Sequence, residues 1–217
     1  FGAISDKYGS GIASFIGAIL FIVGLVLFAN VGSSTDIIIS QCMIGFGASG
    51  TGVSVTLGAV GRVATDKNRT LYLGVVMAGA STGQFIILPI STFLLQTFDW
   101  SQSLIYLAIL SSSMLFFAFA LNFSSKSKSS IEGTNQSIKE ALIEALYSKS
   151  FILLTIGFFV CGFHVTFVAV HLPAYISDQH LPSWVGGWSL ALIGLFNIVG
   201  SLLFGYLGDN GSKKNLL

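Results

Sequence analysis

The placement of the basic residues constrains this chain more than any other feature. All ten Lys and Arg residues lie in or beside alternate connections between six long apolar stretches. The stretches run at about 11–29, 37–61, 71–95, 102–122, 151–176 and 184–207. Each is near the roughly 20 apolar residues that a helix needs to cross a bilayer. Lys7 precedes the first stretch. Arg62, Lys67 and Arg69 join the second to the third, and Lys126, Lys128, Lys139 and Lys149 join the fourth to the fifth. Lys213 and Lys214 follow the sixth. The intervening connections hold Asp36, Asp99 and Asp178 and no base. Basic loops stay on the cytoplasmic side, which puts residues 1–10, 62–70, 123–150 and 208–217 in the cytoplasm. The fold class expected is therefore an all-α polytopic membrane protein. A β-barrel is excluded, since its strands alternate in pieces of about ten residues.

Composition agrees with lipid as the solvent. Hydrophobic residues make up 53% of the chain and charged residues 9%, against about 25% charged in a soluble domain. The net charge of +1 gives no basic face for nucleic acid. Cys42 and Cys161 sit in apolar runs without metal-ligand or CxxC spacing. No initiator Met or signal-peptide pattern opens the sequence, which reads as a fragment that starts within a motif. The longest connection, 123–150, begins with SSKSKSSIEGTNQ, a flexible linker by composition. SIKEALIEALYSKS follows, with Ile138, Leu142 and Leu146 at i, i+4 and i+8, the spacing of a short amphipathic helix on the inner membrane face. A boundary here leaves residues 1–122 in one domain and 151–217 in another.

One signature occurs twice. FGAISDKYGSG opens the chain and FGYLGDNGSKKN lies near its end. Gly2 stands four residues before Asp6, and Gly205 four before Asp209. Lys7 and Gly9 follow the first pair, Lys213 and Lys214 the second. Both copies fall at the cytoplasmic end of a span, so two parallel halves are expected. Glycine allows close helix approach. The carboxylate can meet a cation or a helix N-terminus of the other half. Two matching positions weigh against the simpler reading of solvated loop charges.

These residues resemble the G-x-x-x-D-R/K-x-G-R-R/K loop that follows the second helix of each half in major facilitator transporters. Ser10, Asn210 and Ser212 depart from that pattern. The resemblance spans essentially the whole chain and implies helices three to eight of a twelve-helix bundle. KNRTLYLGVVMAGASTGQ, residues 67–84, is similar to the fifth-helix motif of monocarboxylate transporters through Lys67, Arg69, Leu71, Gly74, Ala78 and Gly79. GFFVCGFHVTFVAVHLPAYISD looks like the seventh helix of bacterial members of that branch. The resemblance thus implies a secondary transporter in a bacterial inner membrane, moving a small organic solute such as a monocarboxylate by alternating access. A proton or solute gradient would drive it, with no cofactor and no enzymatic step. The same resemblance leaves two alternatives: a receptor or scaffold on this fold, and an exporter of drug-like solutes. Drug/proton antiporters tend to carry an Arg where Gln41 stands. Several carboxylate transporters carry an Arg in the eighth helix, and residues 184–207 hold no base.

His164 and His171 lie within the fifth span. Seven residues separate them, about −20° of rotation and on the order of 10 Å of rise, so they share a face. Ionisable groups at membrane depth are functional candidates. Histidine suits a proton relay or an anion contact; two neutral imidazoles bonded to neighbouring helices are the alternative. Pro173 breaks or ends this helix near its outer end. Gln41, Gln84 and Asn197 line a cavity or join helices, the second role being commoner. Gly79 and Gly83 form a small-xxx-small pair suited to close packing. No carboxylate pair, H-E-x-x-H or P-loop is present. The G-x-G-x-x-G at Gly45–Gly50 lies inside a span, without the strand a dinucleotide loop needs.

Overall fold

Long apolar runs become helices because lipid offers no partner for backbone N–H and C=O groups, which must be satisfied within their own segment. The computed structural model describes residues 1–125 and 138–210. Among them the helices are α1 (Gly2–Tyr8), α2 (Ser10–Ala29), α3 (Ser34–Thr51), α4 (Val53–Val63), α5 (Arg69–Thr97), α6 (Trp100–Ser111), α7 (Ser113–Ser125), α8 (Ile138–Tyr147), α9 (Lys149–Asp178) and α10 (Ser183–Asn210). Among the described residues six spans are long and apolar enough to cross a membrane: α2, α3 with α4, α5, α6 with α7, α9 and α10. Their bounds fall within a few residues of those expected from the sequence. The linker that begins at Ser124, and Lys213 and Lys214, lie largely or wholly outside the described residues.

Two compact units divide the described chain. One holds α1 to α7 and α10 from Gly187 onward; the other holds α8, α9 and the first residues of α10. In the first unit, α2 and α3 meet backbone to backbone. A Cβ on Gly17 would lie 2.8 Å from the backbone of Gly50, and one on Gly24 would lie 2.8 Å from Ile44. Gly47 faces the backbone of Phe21 with no room for a side chain. Ala13, Ala18 and Ser40 are fully buried in this unit, and the Ser40 hydroxyl donates back to the Ile37 carbonyl at 3.0 Å. The C-terminal end of α2 and the N-terminal end of α6 are tied by the Ser101 hydroxyl, which donates to the Ala29 carbonyl at 2.6 Å. Phe28 and Trp100 pack edge to face beside it, 4.8 Å between centroids.

Helix starts follow local chemistry. Ser33 accepts from the Asp36 amide at 3.3 Å, and the Asp36 carboxylate accepts from the Gly32 amide at 3.2 Å, a reciprocal cap. The second span is interrupted at Gly52, whose backbone is extended (φ −75°, ψ 177°). Gly9, at φ 96°, joins α1 to α2 in the left-handed region that favours glycine.

In the second unit, Ser148 caps α9 by accepting from the Phe151 amide at 3.4 Å. The short helix expected after the linker is α8; the side chains of Ile138 and Leu142 lie outside the described ones. Pro173 neither breaks nor ends α9, which runs on to Asp178. The helix stops instead where His180 turns left-handed (φ 55°) and the Leu181 amide bonds back to the Ile176 carbonyl at 3.1 Å.

Replacing Gly47 by Leu forces overpacking against α2, which costs about 1–3 kcal/mol or more. Thermal unfolding of the purified protein, read by size-exclusion recovery, is expected to fall clearly for Gly47→Leu. A Cβ on Gly79 would meet nothing within 4 Å, so Gly79→Ala is expected to leave stability unchanged or slightly raised.

Candidate functional site

Two polar clasps sit at the charged ends of the spans. The first is built from α1, α2 and α4. The Arg62 guanidinium donates to the Asp6 carboxylate at 2.7 Å and to the hydroxyls of Ser5 and Ser10 at 3.2 and 2.6 Å. Ser5 and Ser10 are buried and bond each other at 3.0 Å. Asp6 meets the cation of Arg62 on α4, within residues 1–122 and not in the other half, where its partner was expected. Lys7 does not join the clasp; its ammonium lies 5.3 Å from the Tyr8 ring. Gly2 has open space around it, so the close approach expected of this glycine is not made among the described residues.

The second clasp joins α10 to α5. The Asp209 carboxylate accepts from the Thr70 amide at 2.9 Å and from the Leu71 amide at 2.8 Å. These are the second and third amides of α5, two donors that no residue of their own helix can satisfy. Asn68, in the capping position, makes no side-chain cap bond. Asp209 therefore does the work of an N-cap from another helix, and its charge faces the positive end of the α5 dipole.

Small residues bring α10 close enough for this. Gly187, Gly194, Ser201 and Gly208 recur every seven residues on α10. A Cβ on Gly208 would lie 2.6 Å from the Thr70 side chain, one on Gly205 3.3 Å from the Gly74 Cα, and one on Gly74 2.6 Å from the Ser201 carbonyl. Further along the seam, a Cβ on Gly194 would lie 3.0 Å from the Phe85 amide. Gln84, half-buried, donates from its amide to the Leu190 carbonyl at 3.4 Å. Of the fifth-helix motif, Gly74 and Ala78 are buried. The close packing expected of Gly79 and Gly83 falls on Gly74 instead, since both other glycines face open space among the described residues. Arg69 lies beside Gly61, 3.8 Å from where a Cβ on that glycine would stand. Lys67 is exposed.

The remaining candidates are not gathered into one place. His164 and His171 are exposed on α9, and His171 lies over the Phe167 ring with centroids 4.5 Å apart. Phe163 stacks on Phe167 in turn at 6.2 Å. Gln41 on α3 and Asn197 on α10 are exposed. No group of His, Cys, Asp and Glu among the described residues could hold a metal ion. The union of Arg62 with Ser5 and Ser10 was not anticipated from the sequence. The signal for it was a base at the end of an apolar run, with two hydroxyls flanking Asp6.

Six helices long and apolar enough to cross a membrane among the described residues, with carboxylate clasps at their charged ends, define a polytopic membrane protein. The Major Facilitator Superfamily model matches residues 1–217, and the chain belongs to that family. Family membership places it among transporters rather than enzymes. It is similar to "Monocarboxylate transporter 13" of Bos taurus, 23% identical over 211 residues, covering 95% of this chain and 48% of the relative. It is likewise similar to "Monocarboxylate transporter 13" of Rattus norvegicus, 23% identical over 208 residues, covering 95% and 47%. The chain thus spans about half the length of the curated relatives it matches.

Loss of the Asp209 cap is expected to cost about 0.5–2 kcal/mol, the range for N-cap removal. Asp209→Ala should lower the unfolding temperature, and Asp209→Asn should recover part of the loss. Adding Asn68→Asp to Asp209→Ala should restore the stability of α5 without restoring the link to α10.

Proposed function

We propose that this chain forms part of a secondary active transporter that moves a small organic solute, of the monocarboxylate class, by alternating access. The observation that carries the reading is the Asp209 clasp. A carboxylate on one helix satisfies two amides of another, along a seam where glycine removes side chains that would hinder sliding. Such a contact is firm in one arrangement and lost in another, as alternation requires. In this reading residues 1–122 belong to one half, 151–217 to the other, and 123–150 connects them. Residues 1–10, 62–70, 123–150 and 208–217 face the cytoplasm. Arg62 reaching Asp6, and Asp209 reaching Thr70, support one common side for three of these four segments.

The monocarboxylate class is supported by the names of the two relatives and by Lys67 just before α5 with Arg69, Gly74, Ala78 and Gly79 on it. Gln41 in α3, where drug/proton antiporters tend to carry Arg, weighs against drug-like cargo. A proton or solute gradient supplies the energy. His164, with His171 beside the Phe167 ring, is the site assigned to the proton or the anion. Gln84 serves the α5–α10 seam, and Gln41 and Asn197 stand as cavity polar groups. The bacterial inner membrane is the location the seventh-helix resemblance supports, a point to which two mammalian relatives add nothing.

The test is uptake of labelled small monocarboxylates into vesicles holding the intact protein, with and without an imposed pH gradient. Uptake should follow the gradient. A hydrogen bond to a charged group contributes about 1.5–3 kcal/mol, so His164→Ala should lower uptake about tenfold or more at subsaturating solute. Failure to take up any monocarboxylate removes this substrate class, and gradient-dependent uptake unchanged in His164→Ala removes the role of α9.

A further inference from the structure

An ionisable side chain in hydrocarbon is costly, so a helix with two histidines at membrane depth turns them toward protein or a water-filled cavity. On α9 these are His164 and His171, both exposed among the described residues. Phe167 stands between them in height and within about 60° of each around the helix axis. Phe158, Val165 and Ile176 lie on the far side, about 160–180° from Phe167. That far side holds a helix contact. Ile176 is buried, and a Cβ on Gly186 of α10 would lie 3.5 Å from its side chain. The histidine face is left open among the described residues, and lipid tails are an unfavourable neighbour for it.

Three rings share that open face. Phe163, Phe167 and His171 follow at four-residue spacing, which offsets each from the last by about 40° and 6 Å. The Phe163 and Phe167 rings stack with centroids 6.2 Å apart and 26° between planes. Phe167 and His171 lie closer, at 4.5 Å and 42°. Phe167 is thereby held from both directions along the helix, while 52% of it and 65% of Phe163 stay accessible. Ring pairs with centroids about 4.5–7 Å apart attract each other beyond simple burial. The ladder therefore offers an incoming planar ring more than it offers an alkyl chain. His164 flanks it, one residue past Phe163 and three before Phe167. A protonated imidazole complements a carboxylate in charge, and a neutral one can donate a hydrogen bond to it.

We infer that this face of α9 selects the tail of the solute: Phe163, Phe167 and His171 receive an aromatic ring, and His164 holds the carboxylate beside it. The preferred cargo is then an aryl monocarboxylate, a planar ring joined to its acid by a short link. The inference rests on the monocarboxylate reading and narrows it to one class of acid. Phe167 sets the specificity, because it touches both other rings of the ladder. It lies away from the contact of Ile176 with Gly186, so its ring is free for the solute.

Isothermal titration of the intact protein with phenylacetate and with cyclohexylacetate tests this. The two acids share a carboxylate and a six-carbon ring, and only the first ring is flat and aromatic. Phenylacetate should bind about threefold to tenfold more tightly, the increment of one ring pair. Phe167→Leu should remove that preference, and Phe167→Tyr should keep it. His164→Ala should weaken both acids alike, about tenfold or more. Phe158→Leu, on the far side of the helix, should leave both affinities as they were. The comparison in the unaltered protein needs no variant to fold. Equal binding of the two acids, binding of neither, or a preference that survives Phe167→Leu would overturn the ladder. Uptake of labelled propionate and phenylacetate into vesicles separates this from the broader reading. Propionate uptake without ring-selective binding would keep monocarboxylate transport and remove the ladder. Ring-selective binding without uptake of either acid would keep the ladder and remove transport.

Discussion

The whole arrangement depends on close contact between helix backbones. Lipid tails are as apolar as leucine, so burying an apolar face gains little inside a bilayer, and helices associate through packing and interhelical hydrogen bonds. Glycine and serine supply both here. Gly17, Gly24, Gly47 and Gly50 let α2 and α3 touch along their backbones, and Gly74, Gly194, Gly205 and Gly208 do the same for α5 and α10. The large side chains point outward: Phe93, Phe158, Phe159 and Phe196 are exposed, as lipid permits. An inside-out distribution of size, small within and large without, is what this solvent selects.

That close contact is what lets two short carboxylates act. Asp209 reaches the Thr70 and Leu71 amides because Gly205 and Gly208 place α10 against the first turn of α5. Asp6 reaches Arg62 because Gly9 turns the chain between α1 and α2. Neither clasp is strong enough to fix one arrangement permanently. Moving a two-state equilibrium from 1:99 to 99:1 takes about 5.5 kcal/mol, and contacts contributing about 1–3 kcal/mol each bias such an equilibrium while leaving it reversible. The two clasps differ in kind: one neutralises a cation over two buried hydroxyls, the other finishes a helix end.

Much of this is legible in the sequence, for reasons that differ by residue. The six spans are visible because lipid forces long apolar runs and confines the bases to alternate connections. Asp209 is visible because its motif occurs twice and a carboxylate near a helix end has few partners. Its particular partners are not, since nothing in KNRTLYLG says that Asn68 will leave the first turn uncapped. Gly79 and Gly83 mislead because spacing alone cannot say which face of a glycine-rich helix meets a neighbour; Gly74, earlier on the same helix, does so. Pro173 misleads because a proline near the end of a long helix need not stop it. The break at Gly52 is hidden inside SQCMIGFGASGTG, where the same glycines that pack α3 on α2 mask the one that ends it.

The proposed mechanism has the α5–α10 seam open and close during transport. Replacing Thr70 and Gly208 by Cys, in a background without Cys42 and Cys161, places two thiols at a point where the seam is tight. Oxidation to a disulfide should stop solute uptake by the intact protein, and a reductant should restore it. Undiminished uptake by fully cross-linked protein would contradict the opening of this seam.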